Sequence, residues 1–420
     1  MDNIHINQKR RWHMYLNKGK MIRGGILAIL FFGAIFFVTS LSMAKTIKIG
    51  VLSPFKTPSG EDQLNGAKMA VEEINEQGGI MGQKVELFLG NTEYKPEKGV
   101  MAFKKLVLDD KCEVVFGTCS SGVAKAVMDQ MARYKKLFIS TGAASEALSD
   151  LLKSDPAKYK YWFRVMHLSG DLSTAVHEFI YNLPVKKYQA KKMAIMAENA
   201  LWTRGMVKDA ETFFKEKGLE IVYSEFFDTE TKDFTPIFTK IINAKADFIY
   251  EISAHVDGAI YIKQWYDLKG PMIGGVSGTG VTERYWKDCG GKAVSEAIVV
   301  YTPRAPITPK TISFYDKYVT KFKLHPGYPT AYTYDAIYMY KAAVEKAKTT
   351  DPEKLIPIIE KLDYVGAAGK YVFDELHNTK YGEGYRQLPI GQWRKDGSRV
   401  VVWPKSFATG EYELPPWIKK

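Results

Sequence analysis

Cysteine is scarce in this chain: Cys112, Cys119 and Cys289 are all it has in 420 residues. Cys112 and Cys119 bracket "EVVFGT", and an extended strand there holds them about 23 Å apart at about 3.3 Å per residue. That is too far for a disulfide, so no stapled framework is available and stability must come from a packed core. No C-x-x-C or H-x-x-x-H spacing occurs, which removes the usual metal signatures, and no Walker loop is present. The glycine two residues before Ser120 that a G-x-S-x-G nucleophile elbow needs is replaced by Thr118. The histidines at 167, 177, 255, 325 and 377 are scattered without a local partner for a cysteine nucleophile. "GVSGTGVTE" at 275–283 carries Glu283 where a dinucleotide loop needs its third glycine, so it reads as a strand-to-helix turn. No enzyme activity, metal or cofactor is expected.

A one-sided charge pattern is lacking as well. The chain carries a formal +12, but its basic residues are dispersed and mixed with Asp and Glu, which argues against a nucleic-acid stripe. Five of those charges belong to residues 1–44, where Lys9, Arg10, Arg11, Lys18, Lys20 and Arg23 precede "GGILAILFFGAIFFVTSLSMA". A basic lead, an apolar core and small residues at Ser42 and Ala44 form a signal-peptide layout, with cleavage expected between Ala44 and Lys45. Met21 offers a conventional start within the long lead, and the apolar run also has the length of an uncleaved anchor. No cysteine follows for lipid attachment, so the expected location is the periplasm.

After residue 45 strands and helices alternate. Strands are read at "TIKIGVLS", "KVELFLG", "CEVVFG" and "KLFIS", with helices over 61–77, 96–110 and 121–134. The strands are continuous apolar runs, the pattern of a parallel sheet buried on both faces. The rhythm restarts near "YWFRVMHLSG", with strands at "KMAIMAE", "LEIVYSE", "ADFIYEIS", "PMIGG" and "EAIVVY" and helices near 170–182, 202–217, 233–244 and 256–268. The proline-rich "YTPRAPITPKT" reads as a crossing. Helices near 311–323, 330–347 and 352–361 follow it, then a hairpin of "LPIGQWRKD" and "SRVVVWP" turning at Asp396-Gly397.

The reading is therefore an α/β protein of two doubly wound, Rossmann-like lobes joined by multiple crossings, with a ligand cleft between the carboxyl ends of their strands. Residues 45–165 and 303–375 are assigned to lobe one, 166–302 and 376–405 to lobe two, and 406–420 to a C-terminal tail.

"FGTCSSGVAKAV" at 116–127 runs from a strand into a helix, with Ser120 or Ser121 at the N-cap. "TGAASEALSD" repeats that design after the next strand. Helix N-termini carry unpaired N–H groups and a partial positive charge, so two such turns side by side can hold a carboxylate. A plain structural cap fits each serine equally well.

"IKIGVLSPF", "GAKMAVEEINEQGGIMGQKVEL", "VVFGTCSSG", "FISTGAASEAL", "KDFTPIFTKIINAKADFIY" and "YTYDAIYMYKAA" follow one another over residues 46–405. This ordered set resembles the type I periplasmic binding proteins of the leucine/isoleucine/valine-binding family, which feed ABC importers. The resemblance implies two lobes that close on a small ligand and deliver it to a permease at the inner membrane, with the protein acting as a monomer. It implies that Ser121 holds the ligand carboxylate, that the Gly142 carbonyl accepts from the ligand ammonium, and that Trp202 covers the ligand. Trp202 is equally well read as a core aromatic at a helix start. Ala144 stands where the family has a threonine, with Ser145 as a substitute.

Val276 replaces the acid that the family places against the ammonium. Ala254 and Ser59 replace two aromatics. An α-amino acid then needs another acid, because an unpaired buried charge costs several kcal/mol. Glu198 and Glu251, at the ends of second-lobe strands, are the candidates. If neither points into the cleft, an amine-free aromatic or branched acid fits better, with His255, Tyr328 and Tyr332 lining its pocket. The same clamp could instead serve as a sensor for a separate receptor.

Overall fold

Mostly apolar runs of three to eight residues become the strands of one parallel sheet and one largely parallel sheet. The computed structural model describes residues 46–419, so the signal-peptide reading of 1–44 lies outside the described residues. The first sheet holds β1 (Ile47–Ser53), β2 (Val85–Asn91), β3 (Val114–Gly117), β4 (Leu137–Ser140) and β5 (Trp162–Arg164), in the order β2-β1-β3-β4-β5. All its pairings are parallel, with Ile49 opposite Val114 and Val114 opposite Leu137. β3 and β4 are buried at every position, which is why they show no alternation.

The first helix, Pro58–Glu76, begins earlier than the predicted 61–77 because Thr57 caps it: the Gly60 N–H donates to Thr57 Oγ1 at 3.2 Å and Pro58 occupies the first turn. Its buried face includes Ala67, Ala70, Val71 and Ile74. The helix after β3 spans Ser121–Tyr134, as its sequence predicts.

The second sheet runs β14-β13-β10-β9-β8-β6-β7. Its parallel part comprises β6 (Lys192–Glu198), β7 (Glu220–Phe227), β8 (Phe248–Ser253), β9 (Met272–Ser277) and β10 (Ala297–Val299). The predicted hairpin, β13 (Ile390–Trp393) and β14 (Arg399–Trp403), extends it antiparallel to β10. Its turn is stabilised by the Ser398 N–H on Asp396 Oδ1 and by Gly397 at φ +82°. A short hairpin of β11 (Asp363–Val365) and β12 (Lys370–Val372) escapes sequence reading, since three-residue strands carry no usable period. The helix predicted to reach residue 182 stops at Ile180, and the chain widens into a π-type turn over Tyr181–Lys187 that accommodates Pro184.

Three crossings join the sheets: after β5, after β10 and before β13. Residues 376–379 do not yet belong to the second lobe, because the Arg164 N–H donates to the His377 carbonyl and Ser149 Oγ donates to Asn378 Oδ1. The return falls between Thr379 and Ile390, later than the composition suggests. The C-terminal segment lies against the second lobe, where Gln392 donates to the Glu413 carbonyl, Ser295 to that of Leu414 and Trp417 to that of Gly270.

Candidate functional site

In an open parallel sheet the crevice forms where strand order reverses. That point lies between β1 and β3 in the first sheet and between β6 and β8 in the second. The turns leaving β3 and β4 and those leaving β6 and β8 face one another there.

On the first-lobe side, backbone geometry dominates. Gly117 ends β3 at φ +135°, and a Cβ there would lie 2.3 Å from the Leu52 carbonyl, so only glycine lets the chain turn this tightly beside β1. Ser120 occupies the N-cap with extended geometry, but its hydroxyl makes no cap bond. Ser121 opens the helix, where its N–H has no intrahelical acceptor.

The "TCSSG" and "TGAAS" turns are joined directly, because the Ser145 N–H donates to Ser121 Oγ at 3.1 Å. Gly142 permits this approach: a Cβ there would meet Thr118 O and Cys119 Cα at 3.0 and 3.1 Å. Tyr328 ties the turns from behind, donating to the Cys119 carbonyl at 2.9 Å and lying 3.4 Å from the Gly142 carbonyl. Arg164, fully buried, donates to the Ala144 and Ser145 carbonyls at 2.9 and 2.7 Å. This guanidinium fixes the second turn with its carbonyls held away from the cleft.

On the second-lobe side, side chains dominate. Glu198, at the end of β6, is completely buried. Its Oε1 accepts from Trp202 Nε1 at 2.9 Å and lies 2.5 Å from His255 Nδ1, while Oε2 accepts the Ala254 and His255 N–H groups at 2.8 Å each. Burial opposes the charge on this carboxylate, but the His255 ring and the backbone donors outweigh it and hold its pKa below the usual value. Burial likewise opposes the charged His255 ring, and Glu198 outweighs it, raising the ring's pKa.

Between the lobes lies an inner cavity lined by Cys119, Ser121, Gly142, Ala144, Met166, Leu172, Trp202, Ala254, Val276, Gly278, Tyr301 and Tyr328. No charged side chain lines it. It leaves about 20 Å³ free to the centre of a water-sized sphere, room for a water or so. A larger mouth of about 310 Å³ adjoins it, lined by Glu93, Tyr94, Ser120, Trp202, Glu230 and His255 among others. Ser121 and Trp202 line both spaces, so the indole is the partition between them.

Of the residues predicted from sequence, Ser121, Gly142, Ala144, Trp202, Val276 and Tyr328 meet at the inner cavity, and Ser120 and His255 line the mouth. Four predictions need correction. Ser145 does not line the cavity: its N–H is bonded to Ser121 and its hydroxyl accepts from the Ala147 N–H. Glu198 is withdrawn from any ammonium because both its oxygens are committed to its own lobe.

Glu251 lies in the second lobe's interior rather than in the cleft. It is buried with Glu296 and Tyr261, and desolvation pushes its carboxyl up to about 7. Tyr332 is buried behind the cavity, edge-on to Tyr301 and His167. Tyr301 takes the lining position assigned to it. Tyr301 follows β10 at the carboxyl edge of the sheet, a placement that could have flagged it, whereas Met166 and Leu172 gave no signal beyond apolarity.

Among the described residues, no group of three or more His, Cys, Asp or Glu is placed to hold a metal, and no helix is long and apolar enough to cross a membrane.

Comparison with known proteins agrees with this architecture. A curated relative, the leucine-, isoleucine-, valine-, threonine- and alanine-binding protein of Pseudomonas aeruginosa, is 26% identical over 374 residues, covering 87% of this chain and 95% of the relative. Among solved structures, the branched-chain amino acid transporter substrate-binding protein LivJ from Streptococcus pneumoniae, in complex with isoleucine, is similar with a TM-score of 0.74 at 22% identity. That match covers 86% of this chain and all of that one. An ABC transporter solute-binding protein from R. palustris, in complex with benzoate, is similar with a TM-score of 0.75 at 18% identity, covering 89% of this chain and all of that one. The family model described as periplasmic binding protein matches residues 46–398, and with the paired lobes and the cleft between their switch points it shows that this chain belongs to the periplasmic binding protein family.

Proposed function

We propose that this protein is the solute-capturing component of an ABC importer. It closes its two lobes on a small carboxylate with an apolar body, of the branched-chain or hydrophobic amino-acid class, and presents the closed form to a permease at the inner membrane. It acts as a monomer, without a chemical step, after export and cleavage following Ala44.

The observation that carries this reading is the uncharged lining at the facing switch points; the space there is too small for such a ligand as it stands, so the lobes must part to take one. The Ser121 helix start offers N–H groups to a carboxylate at one side, and Trp202, Val276, Met166 and Leu172 offer apolar surface to the rest of the ligand. The names of the relatives support the same class of cargo. Isothermal titration with leucine, isoleucine, valine and phenylalanine tests it; no heat and no thermal stabilisation with any of them, or with apolar acids of similar size, would sink it.

A second reading is favoured by one observation: no acid reaches the cavity. Val276 lines it where the family resemblance implies an acid, Glu198 is bonded within its own lobe, and Glu251 is buried away from the cavity lining. An amine-free acid avoids burying an unpaired ammonium. Matched pairs decide between the two: leucine against 4-methylpentanoate, and phenylalanine against phenylacetate. Tighter binding of the amine-free member of each pair favours the second reading, and tighter binding of the amino acids ends it.

A further inference from the structure

We propose that the Glu198–His255 pair of the second lobe is a proton-dependent latch that holds the clamp closed against Tyr94 and the Cys119 carbonyl of the first lobe. The inference rests on the two-lobe clamp reading and concerns how its closure is regulated.

The argument begins with the tautomer. Glu198 Oε1 lies 2.5 Å from His255 Nδ1, so an ionised Glu198 keeps a proton on Nδ1 in either charge state of the ring. Nε2 therefore carries a proton only when the ring is cationic. This nitrogen is sealed from solvent and has no hydrogen-bond partner within the limits of good geometry, but the Cys119 carbonyl of the first lobe is close enough to favour the protonated ring. A cationic ring has an N–H to offer that carbonyl across the cleft. A neutral ring has only a lone pair there, and two acceptors repel. The same imidazole meets Tyr94 edge-on, with ring centroids 4.7 Å apart. Protonation of one second-lobe side chain thus changes the sign of a contact that exists only when the lobes are together.

The other titratable groups around the ring do not supply a competing switch. From the first lobe, burial keeps the Tyr94 hydroxyl and the Cys119 thiol in their neutral forms, the thiol pushed up to about 12. Glu93, also at the mouth, is paired with Lys98. From the second lobe, Glu230 lines the mouth and Asp257 is engaged by the Ala259 N–H at the start of its own helix. Glu198 is the acid in direct contact. Its pull raises the ring's pKa, so the latch is set below the usual histidine range and released as the pH climbs past it.

The test uses spin labels on the exposed positions Met101→Cys in the first lobe and Lys208→Cys in the second; the native cysteines are buried. Dipolar distances are recorded without ligand from pH 5.5 to 8.5, and once more with leucine and with 4-methylpentanoate. The expected result is a closed-distance population several-fold larger at the acid end. His255→Gln should abolish that slope. Tyr94→Ala, made in the opposite lobe, should lower the closed population at acid pH, while Tyr94→Phe, which keeps the ring, should retain it. A closed population independent of pH in the native protein, or a slope surviving in His255→Gln, overturns the latch while leaving the clamp intact. A single distance at every pH, and with both leucine and 4-methylpentanoate at saturating concentration, overturns the clamp reading itself.

Discussion

The two rims of the cleft solve the same problem with different chemistry. The first-lobe rim is built of backbone: the Ser121 helix start, the Gly142 turn, and carbonyls pinned by Arg164 and Tyr328. The second-lobe rim is built of side chains, with Glu198 tying together Trp202, His255 and the turn after β8. Backbone dipoles come with the strand-turn-helix geometry and do not depend on which side chains the turn carries. A side-chain hub can be exchanged one residue at a time, so a single substitution in the second rim can alter how its groups are held.

A second contrast lies within the second lobe. Glu198 and Glu251 sit on neighbouring strands, Met196 of β6 opposite Glu251 of β8, and both are buried. Glu198 has five donors around its two oxygens, the longest from the Val256 N–H at 3.4 Å, and stays ionised. Glu251 lies near a second carboxyl, Glu296, which itself accepts from the Tyr285 hydroxyl. Two like charges in one dry site cannot both persist, and burial raises both groups. Burial alone therefore does not decide whether a carboxyl is charged; the donors it meets do.

The contrast can be broken most strongly at Glu198. Glu198→Ala leaves the His255 and Trp202 donors and the backbone N–H groups of Ala254, His255 and Val256 without this acceptor, and should destabilise the protein by about 3–5 kcal/mol in urea unfolding. Next is Arg164→Met, which strips two buried carbonyls of their charged donor. A loss of about 3 kcal/mol is expected, together with weaker ligand binding because the Ala144–Ser145 turn loses its anchor.

Glu251 gives a pH signature of the opposite kind to that of a paired acid. The folded protein keeps its proton up to about pH 7, whereas the unfolded chain releases it near 4.5. Its contribution is therefore largest below about 4.5, declines as the pH rises through that window, and is flat above about 7. Glu251→Gln should flatten this part of the stability profile in thermal melts across pH. The smallest effect is expected on the first rim. Ser121→Ala removes a hydroxyl that accepts from the Ser145 N–H, for about 1 kcal/mol of stability, and should weaken carboxylate binding several-fold in titration calorimetry.

Much of the fold was legible because its signals are local. Continuous apolar runs mark buried parallel strands, and the serine and glycine turns after β3 and β4 mark the carboxyl edge. The edge alone points to the two turns that hold Ser121 and Gly142, while the individual positions Gly142 and Ala144 came from the family resemblance. The glutamates were misread because a strand-end acid looks the same whether it faces a cleft, as a free acceptor, or its own lobe. Glu198 is defined by an indole four residues on and by a turn more than fifty residues away, and neither distance is written in the local pattern. Tyr332 was misplaced for a related reason. Helical spacing puts it near Tyr328, but the cavity is reached only by Tyr328 and Tyr301, with Tyr332 behind them.

By itself the sequence determined that strands and helices alternate, that most of its strands are parallel and buried, and that two glycine- and serine-bearing turns leave adjacent strands at one sheet edge. Those properties depend on composition and on short-range periodicity. Only the tertiary structure decided which acids are spent on their own lobe, that no charge lines the inner cavity, and that His255 sits between Glu198 and the opposing lobe. Those outcomes depend on which groups meet in a dry interior, where a single hydrogen bond determines whether a side chain is charged, committed or available.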